Sequence, residues 1–221
     1  MQNLSLDELL SLSLQERGKI VKEYANQLEI DEEIPQGLRE SYNIYMTVEP
    51  YIEDLANLNI TESTAFLNGN KENIIKAINT ILNDKKPDIF QTIDNIRTNR
   101  KTTTIFELVN SEKLSMAQKS TRSISTMMGN MLEDIAHIAP NCISPELDFG
   151  VKIAGLDLLI YADNKIIQCQ LKSNKDTLTG SQADRSVEEL SIFDNPCLAS
   201  AHDTETSWHF PDIPTVKRVA G

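Results

Sequence analysis

The chain has 221 residues, 40% of them apolar and 24% charged, with 33 acidic against 21 basic side chains and a net charge of −12. That apolar share supports a sizeable core. No apolar run approaches the length of a membrane span, which excludes a membrane-spanning helix, and the acidic balance excludes a nucleic-acid binder that is basic over its whole surface. Cys142, Cys169 and Cys197 are odd in number and lack CxxC spacing, and the N-terminus has no basic start followed by an apolar block. Free thiols in a reducing, cytoplasmic setting are therefore expected.

In chain order, Ser5-Leu6-Asp7-Glu8 is a capping box that opens a helix. Apolar spacing predicts helices near 6–28, 36–57, 70–83 and 87–97, with Asn70 and Pro87 as starts. Residues 1–110 are read as a helical accessory region serving dimerisation or recognition, and 111–221 as the core that carries chemistry. Charge is unevenly spread: residues 1–96 hold eight basic and seventeen acidic side chains, whereas 97–122 hold six basic and two acidic. The basic stretch, including Lys119 and Arg122, could follow a phosphate backbone. A solvated linker with incidental charge explains it equally well.

From Ser120 to Ala139, Ile124, Met128, Met131, Leu132, Ile135, Ile138 and Ala139 form one helical stripe that Pro140 ends. Glu133 points away from that stripe and Asp134 lies on its flank.

Residues 146–172 then alternate apolar and polar as three strands joined by the turn pairs Ala154-Gly155 and Asp163-Asn164, which tolerate positive φ. Two-residue turns pair Val151 with Leu158 and Phe149 with Ile160, and then Leu158 with Cys169 and Ile160 with Ile167. One face becomes wholly apolar. The other carries Asp148, Lys152, Asp157, Tyr161, Gln168, Gln170 and Lys172, with Asp157 opposite Gln170 and Lys172 two residues further on. A one-residue slip in either turn would separate them. Cleaving a phosphodiester calls for hard oxygen ligands to Mg²⁺ and a cation near the attacked phosphorus. Asp157 and Gln170 supply oxygen ligands and Lys172 supplies the cation.

Asp157, a twelve-residue gap and Gln170-Leu171-Lys172, flanked by helices, resemble the PD-(D/E)xK superfamily, in particular type II restriction endonucleases. Leu156 stands where the signature has proline, and Gln170 where it has an acid; some members carry this Q-x-K form. The resemblance covers roughly residues 120 to 210. It implies a mixed sheet of αβββαβ order and Mg²⁺-dependent cleavage of double-stranded DNA by a homodimer, with Asp157 and Gln170 holding metal and Lys172 assisting water. Glu133 resembles the helix acid that often completes such a site, while a solvated surface acid is the plain alternative.

Beyond Lys172 a helix is expected over Gln182–Leu190, with Ser181 and Asp184 at its start. Its preceding hydroxyls and glycine would suit a phosphate, making Ser181, Gln182 and Arg185 candidates for DNA contact. Further strands are expected at Pro196–Ala201 and Ser207–Phe210. Trp208 is expected in packing, and His202 and His209 have no partner at zinc spacing. The chain reaches Gly221 without an evident closing element, so both a truncated core and a complete one are left open there. An α/β fold with a restriction-endonuclease-like core behind a helical region thus accounts for the sequence. A repair or recombination nuclease, and a non-catalytic DNA-binding or protein-interaction module, remain alternatives.

Overall fold

The computed structural model describes residues 4–29, 31–63, 71–98, 111–176, 178, 181–202 and 207–221. Asn70, Arg100 and Lys101, together with Thr179 and Gly180 of the expected phosphate cradle, lie outside them.

The first expected helix is two, α1 (Leu6–Leu10) and α2 (Leu14–Ala25). Ser5 and Glu8 cap the first reciprocally, and Ser13 and Glu16 repeat the device eight residues on. A second capping box satisfies a new set of free N–H groups, so the chain restarts rather than continues. The next helix is also divided: α3 (Arg39–Val48) passes through a 3₁₀ turn at Glu49–Tyr51, which contains Pro50, into α4 (Ile52–Ser63). The two helices expected at 70–83 and 87–97 are instead one, α5 (Lys71–Thr98), with Pro87 inside it. Proline's φ is helical, and what it removes is one hydrogen bond and some room for the preceding turn, a penalty of about 3 kcal/mol. A break there would have divided the surface that α5 lays along α6 (Glu112–Ala136).

Five strands form one mixed sheet in the order β1 (Cys142–Ile143), β2 (Leu158–Ala162), β3 (Lys165–Asn174), β4 (Pro196–His202) and β5 (Lys217–Ala220). β1, β2 and β3 are antiparallel neighbours, and β4 and β5 add in parallel. The β3–β4 crossover runs through α8 (Ser181–Leu190). No described helix is long and apolar enough to cross a membrane.

Three expectations about strands are corrected. Pro145–Phe149 is a short helix, α7, not a strand; Ser144 caps it by accepting from the Leu147 N–H at 3.2 Å, and Gly150 ends it at φ 68°. Ser-Pro followed by acids is a helix-start signal that outweighs the period-two pattern. The sheet edge goes instead to β1, with Cys142 opposite Ile160 and Ile143 opposite Leu159. Ser207–Phe210 is irregular, and the closing strand is β5, in the tail that shows no closing element in sequence.

Both faces of the sheet are covered, rather than one buried and one polar. Leu158, Cys169 and Cys197 pack on one side with Ala136 of α6. On the other, Ile143, Leu159 and Leu198 join Leu9, Val21, Ile44, Tyr45, Val48, Leu55, Phe149, Leu190 and Phe193 in the main core. Gln168 is admitted to that core because both ends are satisfied: its Nε2 donates to Tyr45 Oη at 2.7 Å, and its Oε1 accepts from the Asn195 N–H at 2.9 Å.

Candidate metal and phosphate site

The β2–β3 turn works as the residue types require, since Asp163 and Asn164 both sit at positive φ (52° and 57°). Register follows, with Leu158 opposite Cys169 and Ala162 opposite Lys165. The ladder ends at Leu158, however, so Asp157 is not paired opposite Gln170. Just before it, Gly155 (φ 77°) turns the chain, and the Asp157 N–H donates to the Cys169 carbonyl at 2.9 Å. The Asp157 carboxylate then accepts from the Leu171 N–H at 2.6 Å. Burial pushes the Asp157 pKa up; the Leu171 hydrogen bond and the Lys172 ammonium oppose this, and Glu189 adds to it. Asp157 is thus electrostatically coupled to Lys172, which lies in β3 opposite Ser200.

Gln170 is held in β3 opposite Leu198 of β4 and is only 6% exposed. Its Oε1 is buried with no hydrogen-bond partner among the described residues. Two residues earlier Gln168 has a partner at both ends of its amide, so the strand can accommodate one. An unpaired buried acceptor costs about 1–3 kcal/mol. Such an oxygen is suited to a hard cation, which needs no proton from its ligand.

Glu133 is brought to Asp157. It lies in the last turn of α6 but is half-buried rather than solvated, lining a cavity of about 370 Å³ with Asp157, Asp134, Asn130, Glu146, Lys152 and Lys85. The helical wheel set it on the polar side, and that side is roofed by α7 and the Val151–Ile153 segment. Burial pushes the Glu133 carboxyl up to about 7, with Asp157, Glu146 and Asp134 adding to the shift and Lys152 opposing it. A group poised there changes charge near neutrality. The cavity walls are tied at one end by His137, whose Nε2 lies 2.9 Å from Asp148 Oδ2; the same oxygen accepts from the Ser144 N–H at 2.8 Å.

Two residues of this neighbourhood were missed by sequence reasoning. Glu189 of α8 is 6% exposed, and its Cβ lies where a Cβ on Gly155 would sit. Its signal was an acid three residues after Ser186, on the helix face that buries Leu190. Lys85 of α5 reaches the cavity and pairs with Asp134 at 2.8 Å. No local pattern marks it, since it arrives by tertiary packing.

The DNA-contact candidates divide. Ser181, Gln182 and Arg185 are exposed on the first two turns of α8. The helix begins at Ser181, one residue earlier than expected, so Ser181 is its first residue and not its cap. Arg185 Nε is already paired with Glu189 Oε1 at 2.7 Å. Arg122 is exposed and Lys119 half-exposed on α6; Arg122 lies three turns before Glu133 on nearly the same helix face, about 16 Å away.

Asp157, Glu133 and the Gln170 carbonyl carry the hard oxygen donors that a divalent cation such as Mg²⁺ takes; Asp157 and Glu133 line one cavity, and Gln170 is not among its lining residues. Among the described residues no group of three His, Cys, Asp or Glu side chains is placed to hold a metal ion. Comparison with family models, with curated proteins and with solved structures finds no match to this chain.

Proposed function

We propose that the chain is a Mg²⁺-dependent endonuclease on double-stranded DNA, built on a restriction-endonuclease-like core of the Q-x-K form and acting as a site-specific type II enzyme. The supporting observation is a half-buried Asp157 that shares one cavity with Glu133 and is coupled to Lys172, together with a partnerless Gln170 Oε1 on the neighbouring strand β3. Asp157 and Gln170 would hold the metal, with Glu133 as a further carboxylate. Mg²⁺, when bound, supplies a Lewis acid for the phosphate and a bound water of lowered pKa. Lys172 offers an ammonium to the negative charge that develops on the phosphate oxygens. Glu133, with a pKa near 7, can take a proton from the attacking water or ionise as a ligand. The Leu171 N–H to its carboxylate and its own N–H to the Cys169 carbonyl hold Asp157 in one orientation, so the carboxylate would lose little ordering entropy on binding. A homodimer would offer two such sites to the two strands of a symmetric target.

The test is digestion of unmethylated phage DNA by the purified chain with and without Mg²⁺. Discrete bands only with metal, lost in Asp157→Ala and in Lys172→Ala, are the expected result. Smears or structure-selective cuts on flap and junction DNA would move the reading to a repair nuclease. The non-catalytic alternative draws on the missing acid at Gln170 and on Arg185 being engaged by Glu189. Calorimetry showing no binding of Mg²⁺ or Mn²⁺ would favour it.

A further inference from the structure

Lys85 lies 72 residues before Asp157, on a helix whose described side chains are otherwise half-buried or exposed. Yet Lys85 lines the same cavity as Asp157, its ammonium held 2.8 Å from Asp134 Oδ2. The lysine side chain is 43% exposed and the aspartate 24%. Both line the cavity, and Lys85 is the more exposed of the two. The cavity carries four acids, Glu133, Asp134, Glu146 and Asp157, against two cations, Lys85 and Lys152. Lys152 is engaged with Glu146 at 3.0 Å, and both of those side chains are well exposed. A phosphodiester entering so acidic a cleft needs a cation on the wall away from the metal ligands. Lys85 has the right charge and three N–H donors, enough to keep Asp134 and take a phosphate oxygen at once.

We infer that Lys85 is a substrate contact, binding the DNA backbone beside the scissile phosphate from the α5 wall of the cavity. The inference rests on the nuclease reading and assigns α5 a part in the active site. The competing role is a tether between α5 and α6, and an exposed ion pair is a weak one.

Asp134→Asn separates the two roles because it removes the ion pair and leaves the lysine. Binding of the full chain to duplex DNA is measured against salt with Ca²⁺ in place of Mg²⁺, and single-turnover cleavage with Mg²⁺. If Lys85 touches phosphate, Lys85→Gln lowers the slope of log K against log salt by about 0.9 and Asp134→Asn leaves it unchanged. Lys85→Gln should also slow cleavage roughly tenfold or more, with Lys85→Arg restoring most of the rate and thermal unfolding unmoved in all three. Equal losses in Lys85→Gln and Asp134→Asn with an unchanged slope would establish the tether and overturn the contact. A wild-type chain that cuts normally alongside an unimpaired Lys85→Gln would refute this inference alone. A wild-type chain that neither binds nor cuts DNA with Mg²⁺ or Mn²⁺ removes the nuclease reading and Lys85's role with it.

Discussion

The main body and the α5–α6 pair are built on different economies of burial. In the body, α1–α4 and α8 close on the sheet around fully buried Leu9, Val21, Val48, Ile52, Phe149, Leu159 and Leu190. On α5 no described side chain is buried, and Phe90 is 57% exposed; among the described side chains of α6 only Ser115 and Met131 are. Local stability follows buried apolar contact, so the body should set the global unfolding free energy and the helical pair should open first. The candidate site spans the seam between them. Asp157 stands just before β2 and Gln170 and Lys172 lie in β3, whereas Glu133 and Lys85 come from α6 and α5; in the nuclease proposed above the sheet-borne groups would stay fixed while the helix-borne ones can adjust.

The sharpest way to break this contrast is side-chain truncation. Leu159→Ala should lower the unfolding free energy by about 3–4 kcal/mol and Phe90→Ala by less than about 1 kcal/mol, read from denaturant melts. Similar losses would erase the distinction.

Glycines give the next largest effect, with opposite signs on the two sides. A Cβ on Gly18 would run into the Gly150 carbonyl, where α2 crosses the end of α7, and Gly18→Ala should cost about 2–3 kcal/mol. Gly129 in α6 has nothing within 4 Å of that position, so Gly129→Ala should stabilise by about 0.5–1 kcal/mol. A destabilised Gly129→Ala would mean that α6 is more tightly packed than described.

Glu133→Gln probes the seam itself. The carboxyl goes from an ordinary 4.5 to about 7 on folding, so its stabilising share is full below 4.5 and is lost as pH rises through 7. The amide variant should be more stable than wild type by about 1–2 kcal/mol at pH 8 and equal to it at pH 4, while losing cleavage. Unchanged activity would exclude Glu133 from the site.

The smallest expected effect is at His137. Its pKa is raised by the Asp148 hydrogen bond, against burial, so the pair stabilises below the ordinary histidine value of 6.5 and fades as pH climbs through the raised one. His137→Gln should cost about 1 kcal/mol at pH 5.5 and less at pH 8.5, seen in thermal melts. A loss independent of pH would point to packing, not to the ion pair.

Much of this was legible locally. The Ser5–Glu8 box, the Asp163-Asn164 turn and the Leu158–Cys169 register each depend on neighbours a few residues apart, and each is formed. The reading failed where two local signals competed. Residues 147–153 alternate like a strand, but Ser144-Pro145 starts a helix, and the loss of that strand moved Asp157 off the ladder. At Pro87 the breaker signal was overridden by helix-on-helix packing.

The sequence by itself determined the periodicities, the β2–β3 turn with its register, and so the placement of Gln170 and Lys172 on one face of β3, because strand pairing across a two-residue turn is local geometry. Only the tertiary structure decided that Glu133 is half-buried instead of solvated, that the Gln170 Oε1 is left without a partner while that of Gln168 has one, and that Lys85 enters the cavity from a distant helix. Desolvation and long-range charge depend on what covers a side chain. A helical wheel or strand pattern records which way a residue points, and carries no information about the element that will be packed over it.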